Sequence, residues 1–216
     1  MLYRMFNAIL DLLFPKEVDI SAIESMSLSD ITLHIPVADE LGTSAYKALF
    51  QYRDKVMRKA VWEMKYANNK IITKKFSELL YELILETASL EMSFSNFKDP
   101  MVIPIPSSKN ALKERGFNQS ESIAKEIIYF DGGKNLKLCL DGLKKVKETK
   151  HQSKLKNRNE RLNNLKGCFY ADPEKVRGKN IILIDDVITT GTTMKEASDT
   201  LLKAGAKKVI GFAMAH

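Results

Sequence analysis

Two adjacent carboxylates, Asp185 and Asp186, stand where a short apolar run, Ile181 to Ile184, gives way to a turn rich in hydroxyls, Thr189, Thr190, Gly191, Thr192 and Thr193. Ionised aspartates only accept hydrogen bonds, so an adjacent pair suits the paired hydroxyls of a sugar. The threonine hydroxyls add donors, and Gly191 lets the backbone approach a ligand closely. A turn that opens a helix also presents backbone N–H groups and the positive end of the helix dipole, which suits a phosphate. A sugar phosphate satisfies both halves. The plain alternative is an ordinary strand–turn–helix connection that binds nothing. The usual nucleotide loops, G-x-x-x-x-G-K-[ST] and G-x-G-x-x-G, are absent.

The elements that must hold these groups can be read outward from them. The unbroken run Ile181 to Ile184 suits a strand buried on both faces of a parallel sheet. Met194, Ala197, Leu201 and Leu202 fall on one face of a following helix, Gly205 ends it, and Lys207 to Ala213 reads as the next strand. Ligands of open parallel sheets bind at the carboxyl ends of the strands. Met101 to Ile105 reads as another short strand, with Pro104, Pro106, Ser107 and Ser108 as its exit turn. Lys109, Lys113 and Arg115 then follow and could cradle a second anion, or form a solvated basic turn. The stretch Arg115-Gly116-Phe117-Asn118-Gln119 precedes a helix to about Tyr129, with Ile123, Ala124, Ile127 and Ile128 inward. Asp131-Gly132-Gly133 is a turn, and Leu136 to Leu140 a strand. Leu143 to Lys166 is polar and basic, and reads as a long loop that is either functional or a solvated surface segment. Gly167 to Tyr170 reads as a returning strand.

Upstream, residues 45 to 90 read as mostly helical. Tyr46, Leu49 and Phe50, then Val56, Ala60, Val61 and Met64, recur near helical spacing. Asn68-Asn69 breaks the pattern, Ile71 to Ala88 starts another amphipathic helix, and Trp62 and Tyr66 read as core. Ile31 to Val37 reads as a strand with Pro36 near its edge and His34 in a structural role. The face formed by Leu2, Phe6, Ile9, Leu10 and Leu13 belongs to a helix ended by Pro15, too short for the roughly 20 residues of a membrane span. A cytoplasmic protein with no membrane contact is the expectation. The 216 residues suit one substantial domain plus a small appendage. The expected division is an appendage over 1–44 and a main domain over 45–216, made of a helical part (45–98) and a core (99–216).

The net charge of +7 fits an anionic partner, whether a phosphorylated small molecule or nucleic acid. Cys139 and Cys168 are far apart, which excludes a disulfide framework and a four-thiolate zinc site, and both read as small buried or semi-buried residues. His34, His151 and His216 form no metal-ligand pattern.

The run Ile-Ile-Leu-Ile-Asp-Asp-Val-Ile-Thr-Thr-Gly-Thr-Thr resembles the phosphoribosyl-pyrophosphate (PRPP) loop of type I phosphoribosyltransferases. The resemblance implies an α/β fold with an open, mainly parallel sheet flanked by helices and a helical hood beside it. It implies that Asp185 and Asp186 hold the ribose 2′- and 3′-hydroxyls and that Thr189 to Thr193 hold the 5′-phosphate. More narrowly, Pro104-Ile105-Pro106 with Lys113-Glu114-Arg115-Gly116-Phe117-Asn118-Gln119 is similar to the signature of ComF-type, competence-associated proteins. Thr149, Gln152, Arg161, Asn164 and Phe169, and Tyr52 with Met64-Lys65-Tyr66, are similar to further segments of that branch. The resemblance runs from about Tyr46 onward. The branch usually carries paired cysteines that bind zinc after an F-P step. Here Phe14-Pro15 is present but Lys16 to Leu41 holds no cysteine, so no zinc site is expected.

The resemblance further implies PRPP as substrate, with Mg²⁺ held mainly through PRPP itself, and phosphoribosyl transfer to an unnamed acceptor in the service of DNA uptake. Lys109 and Arg115 are the candidates for the pyrophosphate. The 143–166 stretch, with Lys147, Gln152 and Arg161, is the candidate lid. Single-stranded DNA and a competence helicase are candidate partners. The competing expectation is a non-catalytic module that binds PRPP or single-stranded DNA.

Overall fold

In the computed structural model, residues 20–39, 41–43, 45–147 and 166–216 are described. Five parallel strands form the central sheet: β1 (Tyr46–Phe50), β2 (Met101–Pro104), β3 (Lys137–Leu138), β6 (Asn180–Val187) and β7 (Lys208–Ala215), in the order β1-β7-β6-β2-β3. β6 sits at the centre and is buried from Asn180 to Ile184, as its continuous apolar run requires. Its register with β2 pairs Pro104 with Ile184, and with β7 pairs Asp185 with Ala213. The two carboxylates are thus carried on the last residues of the strand itself, not beyond its end.

The helices cover both faces. On one face α4 (Lys70–Ser95) and α6 (Gln119–Asp131) bring Phe76, Leu80, Ile84, Ile123 and Ile127 against Phe50, Ile182 and Phe212. On the other, α8 (Thr192–Lys203) packs Met194, Ala197 and Leu201 against Leu183 and Val209. Leu202, expected on the same face, is 44% exposed. The 100° step of a helix turns it away from its neighbour Leu201. Gly211 in β7 allows this packing, since a Cβ there would lie 2.5 Å from Met194 Sδ. That close approach seats α8, and with it the turn carrying Thr189 to Thr193.

Two stretches differ from the sequence reading. Tyr46 to Phe50 is not helical but forms β1, paired in parallel with β7. Five residues with this spacing fit either period, and here the open backbone of β7 decides. The core sheet therefore takes its edge strand from the 45–98 stretch. Ile31 to Val37 is not a strand. Ser27 and Asp30 form a capping box that starts α2 (Leu28–His34), burying Ile31. Only Val37 pairs in β fashion, through an isolated bridge to Phe50. His34 closes the helix on its exposed side, its Nδ1 2.8 Å from the Asp30 carbonyl.

α1 (Ile20–Ser25) precedes this helix, and α3 (Lys55–Trp62), capped by Asp54, follows β1. α3 runs into a π-helical turn over Glu63–Ala67, which Asn68 ends in the left-handed region. Trp62 and Tyr66, expected in the core, are 49% and 57% exposed. The inward face here is Met57, Ala60, Val61 and Met64, which leaves the two rings outside, 5.7 Å apart.

β4 (Leu143–Lys145) and β5 (Phe169–Ala171) form an antiparallel pair, with α5 (Lys109–Arg115) and α7 (Pro173–Val176) as short helices elsewhere. The basic stretch expected as a loop from Leu143 thus begins as a strand. Gln152 and Arg161 lie outside the described residues. Cys139 and Cys168 are both buried, as their isolation in the sequence suggested. Among the described residues no helix is long and apolar enough to cross a membrane.

Candidate functional site

A cleft of about 490 Å³ opens at the carboxyl ends of β2 and β6, where ligands of open parallel sheets bind. β6 supplies Asp185 and Asp186, and the exit of β2 supplies Ile105 to Ser108. That exit is held by Asn118. Its amide donates to the Ile105 carbonyl at 3.1 Å, and its Oδ1 accepts from Ser107 Oγ at 2.9 Å. Gly116, at φ +80°, ends α5 and turns the chain into position for this contact. Arg115 lines the cleft, its guanidinium 5.3 Å above the Tyr66 ring.

The turn after β6 closes one end. Gly191 has φ +70° and is the N-cap of α8. Thr189, Gly191, Thr192 and Thr193 line a small concavity that reaches Asp185, and the positive end of the α8 dipole faces it. Thr190 Oγ1 and Thr192 Oγ1 are 3.0 Å apart. Thr190 itself lines a separate hollow with Lys195 and His216. Replacing Gly191 with alanine is expected to cost about 1 kcal/mol of stability, because the added Cβ meets open space but the left-handed backbone remains. Urea unfolding measures it, and an unchanged midpoint would show that the turn adopts another conformation.

The acidic pair is not equivalent. Asp185 Oδ1 accepts from Ser120 Oγ at 3.1 Å and from the Asp186 backbone N–H at 2.9 Å. Burial, with the Asp186 carboxylate beside it, pushes Asp185 up to about 7, and the Lys65 ammonium only partly offsets this. Asp186 Oδ1 lies 2.9 Å from Lys65 Nζ, with the two side chains 13% and 20% exposed. Burial is the largest influence on Lys65 and opposes its charge, but the charge and hydrogen bond of Asp186, with the charge of Asp185, together hold the lysine above its ordinary value.

Of the residues singled out in the sequence, Asp185, Asp186, Thr189, Thr193 and Arg115 meet at the cleft, and Gly191 and Thr192 join them at the concavity. Lys109 and Lys147 are not among the lining residues, whereas Lys145 of β4 is. Tyr52, Lys65 and Ser120 also line the cleft, and sequence reasoning gives them no role. Tyr52 and Lys65 sit in the segments already noted as resembling the ComF branch, and Ser120 directly follows Gln119. Among the described residues no group of three or more His, Cys, Asp or Glu side chains could hold a metal ion.

Fold and cleft together define an open, parallel α/β protein with an acidic pair and a hydroxyl-rich turn at the carboxyl end of its central strand. The model of the phosphoribosyl transferase domain matches residues 65–216. The chain is 30% identical to competence protein ComFC of Streptococcus pneumoniae over 170 residues, which are 79% of this chain and 67% of that one. It is 34% identical to competence protein ComFC of Bacillus subtilis over 109 residues, 49% of this chain and 39% of the relative. It is 28% identical to DNA utilization protein YhgH of Salmonella typhimurium over 134 residues, 61% and 54% of the two. The match therefore spans about two thirds of the first relative and only about half or less of the other two. Among solved structures, a glutamine PRPP amidotransferase from B. subtilis aligns at 19% identity with a TM-score of 0.42, covering 70% of this chain and 30% of that one. The chain belongs to the phosphoribosyltransferase family, in its ComF-type, competence-associated branch.

Proposed function

We propose that the cleft binds PRPP as its magnesium complex and transfers the phosphoribosyl group to an acceptor in a pathway of DNA uptake. The observation that carries this reading is the carboxylate pair on β6 beside the Gly191 turn, with Asp185 and the turn bordering one concavity. The 5′-phosphate is assigned to Thr189, Gly191, Thr192 and Thr193, and the ribose hydroxyls to Asp185 and Asp186. Arg115, with Ser107 and Ser108, borders the opposite side and is assigned to the pyrophosphate. Lys145 is a further cation at the rim. Of the stretch expected as a lid, residues 143–145 form β4, and Gln152 and Arg161 lie outside the described residues.

The donor set does not fit a resident Mg²⁺ site. Of the two carboxylates lining the cleft, Asp186 is engaged by Lys65. Magnesium is accordingly taken as part of the substrate, held by phosphate oxygens as is usual for this ion, where it offsets the charge of the leaving pyrophosphate. The protein's own part is to fix the sugar at both ends and to set negative potential near ribose C1, where positive charge grows as the bond to pyrophosphate breaks.

A second reading, a PRPP- or single-stranded-DNA-binding module without catalysis, is favoured by the net charge of +7 and by Lys144 and Lys145 on β4. Calorimetry separates the two when combined with an assay of pyrophosphate release. PRPP with Mg²⁺ is expected to bind, and single-stranded DNA to bind weakly, with steep salt dependence and in competition with PRPP. Pyrophosphate release on adding an acceptor supports transfer. PRPP binding without release under any acceptor tried supports the second reading. No heat at about 1 mM PRPP, a concentration near the weak end of measurable affinities, would discard both PRPP assignments.

A further inference from the structure

Among the described residues, Lys65 is the charged side chain that enters the acidic end of the cleft from the helical layer, and the chain departs from regular helix to deliver it. α3 is a regular helix from Asp54 onward, yet its continuation over Glu63–Ala67 widens into a π-turn. Such turns are rare and recur at functional sites. Met64 on this turn is fully buried in the core while Lys65 enters the cleft.

Its ammonium meets Asp186 at 2.9 Å, at low exposure on both sides. Asp185 is the next residue along the strand, held by Ser120 and by the Asp186 N–H. Two neighbouring carboxylates at a partly dry site repel each other and need a countercharge. Other groups bear on this one. Arg115 arrives from the end of α5, Lys145 from β4 and Tyr52 from the connection after β1. Lys59 and Glu63, on the same helical run, pair with each other at 3.3 Å. Arg115 acts against the charge on Lys65. Of these groups, Lys65 is the one whose ion pair with the acidic pair is closed in the free protein.

We propose that Lys65 is a positioning residue for this site: delivered by the π-turn, its ammonium holds the Asp186 carboxylate in place and offsets its charge beside Asp185, keeping Asp186 as a hydroxyl acceptor. This rests on the phosphoribosyl reading of the cleft. It also ties the helical layer to the sheet at the point of binding, so that a shift of the π-turn alters the acidic pair directly.

Removing the ammonium shifts the titration of the neighbouring carboxyls and the stability whatever its role, and a merely structural ion pair would leave PRPP affinity unchanged. The positioning role changes both the titration of the acidic pair and the affinity. The free protein is therefore read first, by following the Asp185 carboxyl carbon in ¹³C-labelled protein against pH. In Lys65→Met, or in Lys65→Gln should the methionine variant fail to fold, the Asp185 midpoint is expected to move up by about one pH unit, the size expected on losing a close countercharge. Lys65→Arg is expected to leave it in place. Calorimetry with PRPP and Mg²⁺ at about pH 6, below both midpoints, is read second. The neutral variants are expected to bind about tenfold more weakly, the factor in affinity that a midpoint higher by one pH unit entails. The arginine variant is expected to bind within about threefold of the wild type on the same scale.

An unmoved midpoint in the neutral variants overturns the proposal whatever the ligand does. So does a moved midpoint with unchanged PRPP affinity, or an arginine variant as weak as the neutral ones. A wild-type protein that binds no PRPP overturns the phosphoribosyl reading itself. The free-protein titration tells the two failures apart.

Discussion

Replacing Asp185 with asparagine is expected to stabilise the free protein above neutral pH while crippling its binding of PRPP. Asp185 is pushed from 3.8 up to about 7 by burial and by the neighbouring Asp186 charge. A carboxyl group whose folded pKa lies above its unfolded value contributes stability below that unfolded value. The contribution is lost as pH rises through the folded pKa. The window here runs from about pH 4 to about pH 7, so at about pH 8 the folded protein carries a partly desolvated charge at a cost. Asparagine removes that charge and keeps the shape. The gain is expected to be larger near pH 8 than near pH 5 by on the order of 2 kcal/mol, and to vanish only below about pH 4, where Asp185 is protonated in both the folded and the unfolded protein. Urea unfolding at the two pH values measures it. Parallel stability profiles for wild type and variant would show that Asp185 is not held in its neutral form. The binding side goes the other way. A hydrogen bond to a charged acceptor contributes about 1.5–3 kcal/mol, so loss of the anionic acceptor should weaken PRPP at least about tenfold. A gain in stability with a loss of binding is the pattern of a residue kept for function at the expense of the fold.

How much of this is open to sequence reading depends on distance along the chain. Asp185 through Thr193 can be read directly, because the strand, the carboxylates and the turn are contiguous and each residue type has one obvious chemistry. The helix from Gln119 and the strands β2 and β7 follow from uninterrupted periodicity. Tyr46 to Phe50 reads wrongly as helix, because five residues fit both periods and the deciding partner, β7, lies at the other end of the chain. α2 carries a legible signal of its own: Ser27 and Asp30 stand three apart, an acidic variant of the capping box that outweighs the strand-like run after it. The role of Lys65 cannot be read from spacing or periodicity, although its segment is one that resembles the ComF branch. Its partner is Asp186, and only the π-turn brings the two together. Ser120 is hidden for the same reason, since its contact with Asp185 is set by how α6 packs beside β6. The inequality of the two aspartates is equally invisible, because it arises from burial, which adjacent identical letters do not encode.

That inequality sets the second large effect, the pH dependence of ligand binding. The ribose hydroxyls are donors and need anionic acceptors, while the free site holds Asp185 at about 7. Below this value binding must first remove the proton. Affinity for PRPP with Mg²⁺ is therefore expected to fall by up to about tenfold for each pH unit below about pH 7 and to level off above it. Binding near pH 6.5, on the order of the Asp185 midpoint, should release a proton, visible as a difference in calorimetric heat between two buffers of unlike ionisation enthalpy. The phosphates of PRPP also titrate in this region, with a second pKa of about 6 for a phosphate monoester, so the wild-type profile alone is not diagnostic. Asp185→Asn supplies the reference. It keeps the ligand's own titration and lacks the carboxyl's, so subtracting its profile leaves the contribution of Asp185. A wild-type profile that coincides in shape with that of the variant, with the same proton release, would place the hydroxyl contacts on Asp186 alone. A profile that differs by about one proton, centred near pH 7, makes this half-buried carboxyl the group that sets when the cleft is open to its ligand.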